Sequence, residues 1–174
     1  MRITSRVLAI LLLSAGPSWG AVTDLATNGF EIEETVHIAA SPQTVYTLAI
    51  RPSQWWSSSH TYSGSAANLS FEAKADGCWC ERLADGGTVR HMTVTFVQPG
   101  KSVVLRGALG PLIDLAVEGA MRWTIKPAGA ETEFTLTYRV SGYIKDGFGI
   151  WPKAIDGVLG EQIAGLKRAA EAHK

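Results

Sequence analysis

The stretch that decides the fold is WPKAIDGVLGEQIAGLKRAA, running from Trp151 to Ala170. Trp151, Ile155, Val158, Leu159, Ile163, Leu166 and Ala170 recur at spacings of three and four, with Lys153, Asp156, Lys167, Arg168 and, beyond, Glu171 elsewhere on the cylinder. That period predicts one long amphipathic helix, with Pro152 in its first turn, where a missing N–H costs little. Gly157, Gly160 and Gly165 would each cost about 1 kcal/mol relative to Ala in a helix interior. They therefore point to close packing or bending rather than to helix strength.

Upstream the period changes to two. Residues 119–126 and 132–140 flank Pro127-Ala128-Gly129-Ala130, and residues 102–107 follow Pro99-Gly100. Residues 88–97 follow Ala84-Asp85-Gly86-Gly87, and residues 68–74 and 78–83 are split by Asp76-Gly77. Connections this short predict antiparallel strands, because parallel ones need long crossovers. Residues 30–38 form a further strand, with Phe30, Ile32, Val36 and Ile38 set against Glu31, Glu33 and His37. Ser41-Pro42 then caps a short helix carrying Val45, Leu48 and Ala49 on one face, and Arg51 before Pro52 ends it. A second short turn through Ser53-Gln54-Trp55-Trp56 and a loop over 57–67 follow. This order predicts an α+β fold. A curved antiparallel sheet of about six to seven strands grips the long C-terminal helix, with two short helices after the first strand.

Composition narrows the function. The chain has 174 residues, 16 Lys+Arg against 16 Asp+Glu, 46% hydrophobic residues and 6 Trp. A neutral chain without a basic block is unsuited to nucleic-acid phosphates, and one this apolar folds. The length fits one domain. Residues 1–20 read as a signal peptide: Arg2 and Arg6, the apolar run from Val7 to Leu13, and small Ser18 and Gly20 before a cleavage point at Ala21. The run is shorter than the roughly 20 residues a membrane span needs, although a retained N-terminal anchor is the alternative. Cleavage removes two Arg and no acid, so 14 basic face 16 acidic residues, a net charge of −2. An exported protein, periplasmic or secreted, is expected, with residues 21–174 as its single domain and no stable membrane insertion.

Alternation assigns the faces. Met121, Trp123, Ile125, Phe134, Leu136 and Tyr138 share the face toward the helix. A tight hairpin at Asp85-Gly86 sets Leu83 against Thr88, Glu81 against Arg90, Trp79 against Met92 and Cys80 against His91. Met92, Val94 and Phe96 are then interior, and Trp79, Glu81 and Arg90 fall on their side. Glu81 and Arg90 are either a solvated cross-strand pair at the open sheet end or polar residues of a pocket, and a one-residue bulge would reverse the faces.

Cys78 and Cys80 lie about 6.6–7 Å apart by strand rise, long for a disulfide. Packing or free thiols is the first reading, with a local or intermolecular disulfide and a metal site including His91 as alternatives; no metal is expected. His60 sits in a loop with Ser57, Ser58, Ser59 and Thr61, without a nearby acid in sequence to orient it, so it is a rim residue or a general base. Trp55 and Trp56 are core or cavity wall. The apolar segment 107–116 either folds over the sheet mouth as a lid or meets a partner or membrane surface. No P-loop or dinucleotide fingerprint is present, and no cofactor is expected.

The opening strand leading into Ala40-Ser41-Pro42-Gln43-Thr44-Val45-Tyr46, then Pro52-Ser53-Gln54-Trp55-Trp56, resembles the START-related, birch-pollen-allergen-like helix-grip superfamily, also called SRPBCC. Gly77-Cys78-Trp79-Cys80-Glu81, Asp85-Gly86, Phe96-Val97-Gln98-Pro99-Gly100-Lys101, Trp123-Thr124 and the terminal helix fit the same pattern over about residues 30–172. Bacterial members are often labelled polyketide cyclase-like or similar to the activator of the heat-shock-protein-90 ATPase. The resemblance implies a deep apolar cavity between sheet and helix that holds a small hydrophobic or amphipathic molecule. It supplies no invariant catalytic set.

The resulting expectation is an exported binding protein. Trp79, Met92, Phe96, Met121, Trp123, Phe134, Tyr138, Trp151 and Ile155 would line its cavity. Glu81 and Arg90 would orient a polar end of the ligand, and Trp55, Trp56 and His60 would stand at the mouth. The alternatives are an enzyme (cyclase, dehydratase or hydrolase of an aromatic or polyketide-like substrate) using His60, Glu81 and Arg90, and a protein-interaction domain using residues 109–115. Ligand identity and oligomeric state are unreadable at this level.

Overall fold

A computed structural model describes residues 19–173, and of Trp19 and Gly20 only the backbone. Eight antiparallel strands form one sheet: β1 (Trp19–Ala26), β2 (Gly29–Ile38), β3 (Leu69–Phe71), β4 (Cys78–Arg82), β5 (Thr88–Gln98), β6 (Ser102–Arg106), β7 (Ala116–Ala128) and β8 (Glu131–Tyr143). Their order is β1-β2-β8-β7-β6-β5-β4-β3, so the meander from β3 to β8 closes against the first hairpin. The edge strand β1 is one more than the alternation disclosed. The apolar run of residues 7–13 lies outside the described residues, and the expected cleavage point before Ala21 falls within β1.

Helix α1 (Pro42–Ala49) starts where Ser41 Oγ accepts the Thr44 N–H at 3.1 Å. Near its end, the indole N–H of Trp55 donates to the Leu48 carbonyl at 2.8 Å, satisfying a terminal acceptor. Short 3-10 turns over Pro52–Gln54, Ser58–His60 and Ala66–Asn68 carry the chain to β3. Helix α2 (Trp151–Ala172) lies against the concave face of the sheet with Leu159, Ile163, Leu166 and Ala170 buried. Two of its three inner glycines have contacts that explain them. A Cβ on Gly165 would run into the Trp55 carbonyl, and one on Gly160 would come within 3.2 Å of Glu34 Oε1, whereas Gly157 faces open space.

Met121, Trp123, Ile125, Phe134, Leu136 and Tyr138 are all buried, as their alternation requires. Strand β5 departs from simple alternation twice. Trp79 pairs with Met92 but Cys80 with Arg90, leaving His91 as an extra residue; Val94 pairs with Leu105 but Phe96 with Val104, leaving Thr95 extra. Each bulge turns the following side chains over. Glu81 therefore faces Val89, and Thr88 faces Arg82. Arg90 is exposed and Phe96 is 47% exposed, so neither is interior. His91 is buried in Arg90's stead.

Cys78 and Cys80 are joined by a disulfide, with Cα atoms 5.4 Å apart. The two Cα atoms are closer than the two-residue rise of a regular strand, and the pair sits where the β4–β5 register shifts between Trp79 and Cys80. Packing as free thiols is thus replaced by the local pair. Trp79 and Glu81, on either side of Cys80, point inward and are buried.

Candidate functional site

The space between sheet and α2 is not an open deep cavity. Trp123 is enclosed by aromatic rings: Phe71 stacks on it at 5.5 Å between centroids, and Trp79, Phe134 and Trp55 approach at 5.8, 6.3 and 6.4 Å. Met121, Trp123, Phe134 and Tyr138 are each at most 1% exposed. They fill the deep end rather than line a void. Trp55 belongs to the same packed cluster, and Trp151 packs partly buried against the core near the start of α2.

A cavity of about 370 Å³ remains toward the mouth. Its inner wall is Leu69, Trp79 and His91 from β3, β4 and β5, and α2 contributes Ile155 and Val158. Trp56 and residues 59–62 form one lip; Leu109, Gly110, Pro111 and Asp114 form the other. Its size is in the range of small-molecule pockets and its lining mostly apolar. Of the residues expected at the cavity, Trp56, His60, Trp79 and Ile155 border it. Arg90 and Met92 instead border a second, more open groove of about 710 Å³ with Arg106 and Glu118, and His91, Tyr62 and Asp114 touch both.

The second lip is a lid. Residues 110–114 form a 3-10 turn, with Leu109 and Leu112 buried and Ile113 exposed. Tyr138 Oη accepts the Leu109 N–H at 2.9 Å and donates to the Gly107 carbonyl at 3.1 Å. Burial holds the Tyr138 phenol well above its ordinary range, so it stays protonated and able to donate. Tyr62 Oη donates to the Gly110 carbonyl at 2.9 Å, latching one lip to the other.

Two imidazole–carboxylate pairs flank the cavity. At the mouth, His60 Nε2 lies 2.9 Å from Glu161 Oε2 on α2. The Ser57 hydroxyl, and after it the His60 ring, hold the Glu161 carboxyl below its ordinary range. The orienting acid that sequence proximity did not supply is 101 residues away.

At the inner wall, His91 Nε2 lies 2.9 Å from Glu81 Oε2, with side chains 7% and 0% exposed. Glu81 also accepts backbone N–H groups from Ser63 at 2.5 Å and Tyr62 at 3.2 Å. Burial pushes its carboxyl up, but the Ser63 and Tyr62 donors and His91 outweigh it and leave it below its ordinary range. Burial lowers the His91 pKa against the pull of Glu81. The pair is therefore a carboxylate accepting from a neutral imidazole. His91 was placed opposite Cys80 by simple pairing, and only the β5 bulge brings it inside. Among the described residues no group of three or more His, Cys, Asp or Glu could hold a metal.

Comparison with known proteins agrees with this architecture. Solved structures with the same fold include the Aha1 dimer from Colwellia psychrerythraea, at 18% identity and TM-score 0.58, with 83% of this chain and 98% of that one covered. DynU16, from the dynemicin biosynthetic locus, matches at 20% identity and TM-score 0.56, over 83% of this chain and 48% of that one. The di-domain ARO/CYC StfQ from the steffimycin biosynthetic pathway matches at 14% identity and TM-score 0.55, over 84% and 50%. At these identities the likeness is one of fold. No curated protein matches the sequence. Residues 29–171 match the family model described as polyketide cyclase / dehydrase and lipid transport, and the chain belongs to that family.

Proposed function

We propose that the protein is an exported binding protein that holds a small hydrophobic or amphipathic molecule in the cavity beneath the lid. One observation carries this reading: a cavity of about 370 Å³ walled by Trp56, Leu69, Trp79, Leu109, Ile155 and Val158 inside an otherwise tightly packed helix-grip core. Family membership supports a small hydrophobic molecule as the occupant. Export rests on the character of residues 1–20. No helix among the described residues is long and apolar enough to cross a membrane. Native mass spectrometry of protein purified from its own host tests the reading. A bound small molecule is expected; protein that is ligand-free and takes up no hydrophobic probe contradicts it.

The enzyme reading has its own support in the two imidazole–carboxylate pairs, since a carboxylate that orients an imidazole makes it a competent base. His60 and Glu81 remain its candidates, with His91 in the place expected for Arg90. Unchanged turnover of every accepted substrate in His60→Ala and Glu81→Gln would dismiss it.

A further inference from the structure

The electrostatics of the inner wall select the chemical class of the ligand. Resting on the cavity reading above, we propose that the occupant is a neutral apolar molecule whose buried end carries a hydroxyl, such as a phenol or enol, that donates to His91 Nδ1.

The argument starts at Glu81. Its two oxygens accept from Ser63 N, Tyr62 N and His91, a donor set that suits an anion. His91 Nε2 must then carry the hydrogen in that bond, and a neutral imidazole with Nε2 protonated has a bare Nδ1. Nδ1 has no hydrogen-bond partner among the described residues. Nδ1 is not among the fully buried unpartnered atoms, so it is open to the space that His91 borders, and an apolar occupant that strips it of water costs free energy that a matching donor recovers.

The same wall disfavours an anionic end. Among the described residues no Lys or Arg borders this cavity, whereas Asp114 does and the Glu81 carboxylate lies directly behind His91. The Tyr62 phenol registers that environment: burial first, then Asp114 and Glu81, raise it above its ordinary range. A carboxylate head would meet two fixed negative charges with no cation, and a carbonyl or ether would leave Nδ1 unmet. Of a hydroxyl, a carbonyl and an ether oxygen, only the hydroxyl can donate to Nδ1.

The test is a fluorescence titration of the folded protein with three probes of one shape: 2-naphthol, 2-methoxynaphthalene and 2-naphthoate. Wild type is expected to bind naphthol about tenfold more tightly than the ether, the scale of one buried hydrogen bond, and naphthoate most weakly. His91→Phe, which keeps a ring in place, should bring naphthol and ether to equal affinity. Glu81→Gln keeps an acceptor for His91 and should narrow the gap between naphthol and naphthoate. Equal binding of naphthol and ether by wild type, or tightest binding of naphthoate, overturns this assignment while leaving the cavity reading intact. Failure of all three to bind overturns both. If His91→Phe does not fold, the wild-type ranking and Glu81→Gln decide alone.

Discussion

Tyr138 holds Leu109 from beneath: its phenol oxygen, buried on β8, accepts the lid's N–H at 2.9 Å and donates to Gly107 at 3.1 Å. An inner strand of the sheet thus fixes the segment that covers the cavity at the mouth.

Removing that oxygen should free the lid without emptying the core. Tyr138→Phe keeps the ring but orphans the Leu109 N–H and the Gly107 carbonyl, at about 1–3 kcal/mol by equilibrium denaturation. Ligand dissociation should quicken in stopped-flow measurements. Gly119→Ala reaches the same contact from β7, because its Cβ would fall 2.6 Å from Tyr138 Oη; it should destabilise comparably or more.

The helix glycines should separate cleanly. Gly165→Ala puts a methyl into the backbone carbonyl of Trp55, which cannot move without shifting the α1–β3 connection. Gly157→Ala meets nothing within 4 Å. Thermal melts should show Gly165→Ala clearly lowered and Gly157→Ala raised, the latter by up to about 1 kcal/mol of helix propensity.

Stability should fall as pH rises through neutrality. Glu34, 1% exposed on β2, faces Asp156 of α2, and burial, then the Asp156 charge and their mutual hydrogen bond, raise its carboxyl to about 7. The folded state therefore holds this proton more tightly than the unfolded chain. Its contribution is intact below about pH 4.5 and lost progressively as pH climbs to about 7, amounting to about 3 kcal/mol. Denaturation midpoints of Glu34→Gln between pH 5 and 8 should lack this decline; a wild-type-like decline would contradict the assignment.

Reduction of the Cys78–Cys80 bond should cost little global stability. Its loop spans two residues in sequence, for which chain entropy predicts under about 2 kcal/mol. The larger effect should be local. The bond sits at the β4–β5 irregularity that turns His91 toward Glu81. Hydrogen exchange at His91 and Glu81 should accelerate in Cys78→Ser/Cys80→Ser more than exchange in β7 and β8.

The parts of the molecule legible in the sequence are those governed by a single period. Helix α2 announced itself through residues three and four apart, and the β7–β8 interior through strict alternation from Met121 to Tyr138. Glu34 also stood in the open: it occupies the inward position between Ile32 and Val36, masked only by the habit of placing acids outside. Arg90 and Phe96 were misplaced because a bulge adds one residue without any compositional mark. The Glu161 partner of His60 depends on the packing of α2 against a loop 101 residues earlier. The filled deep end follows from how Trp55, Phe71 and Trp123 interlock, which volume and rotamer decide and patterning does not.

The claim that the cavity at the mouth is the binding site is tested most directly by filling it. Val158→Trp places a large ring in the cavity from α2 while leaving in place every hydrogen-bonding group of the lid and of both imidazole–carboxylate pairs. Titration of 2-naphthol into wild type and Val158→Trp, followed by fluorescence, should give saturable one-to-one binding to the first and none to the second. Equal binding to both would place the ligand elsewhere and contradict the account.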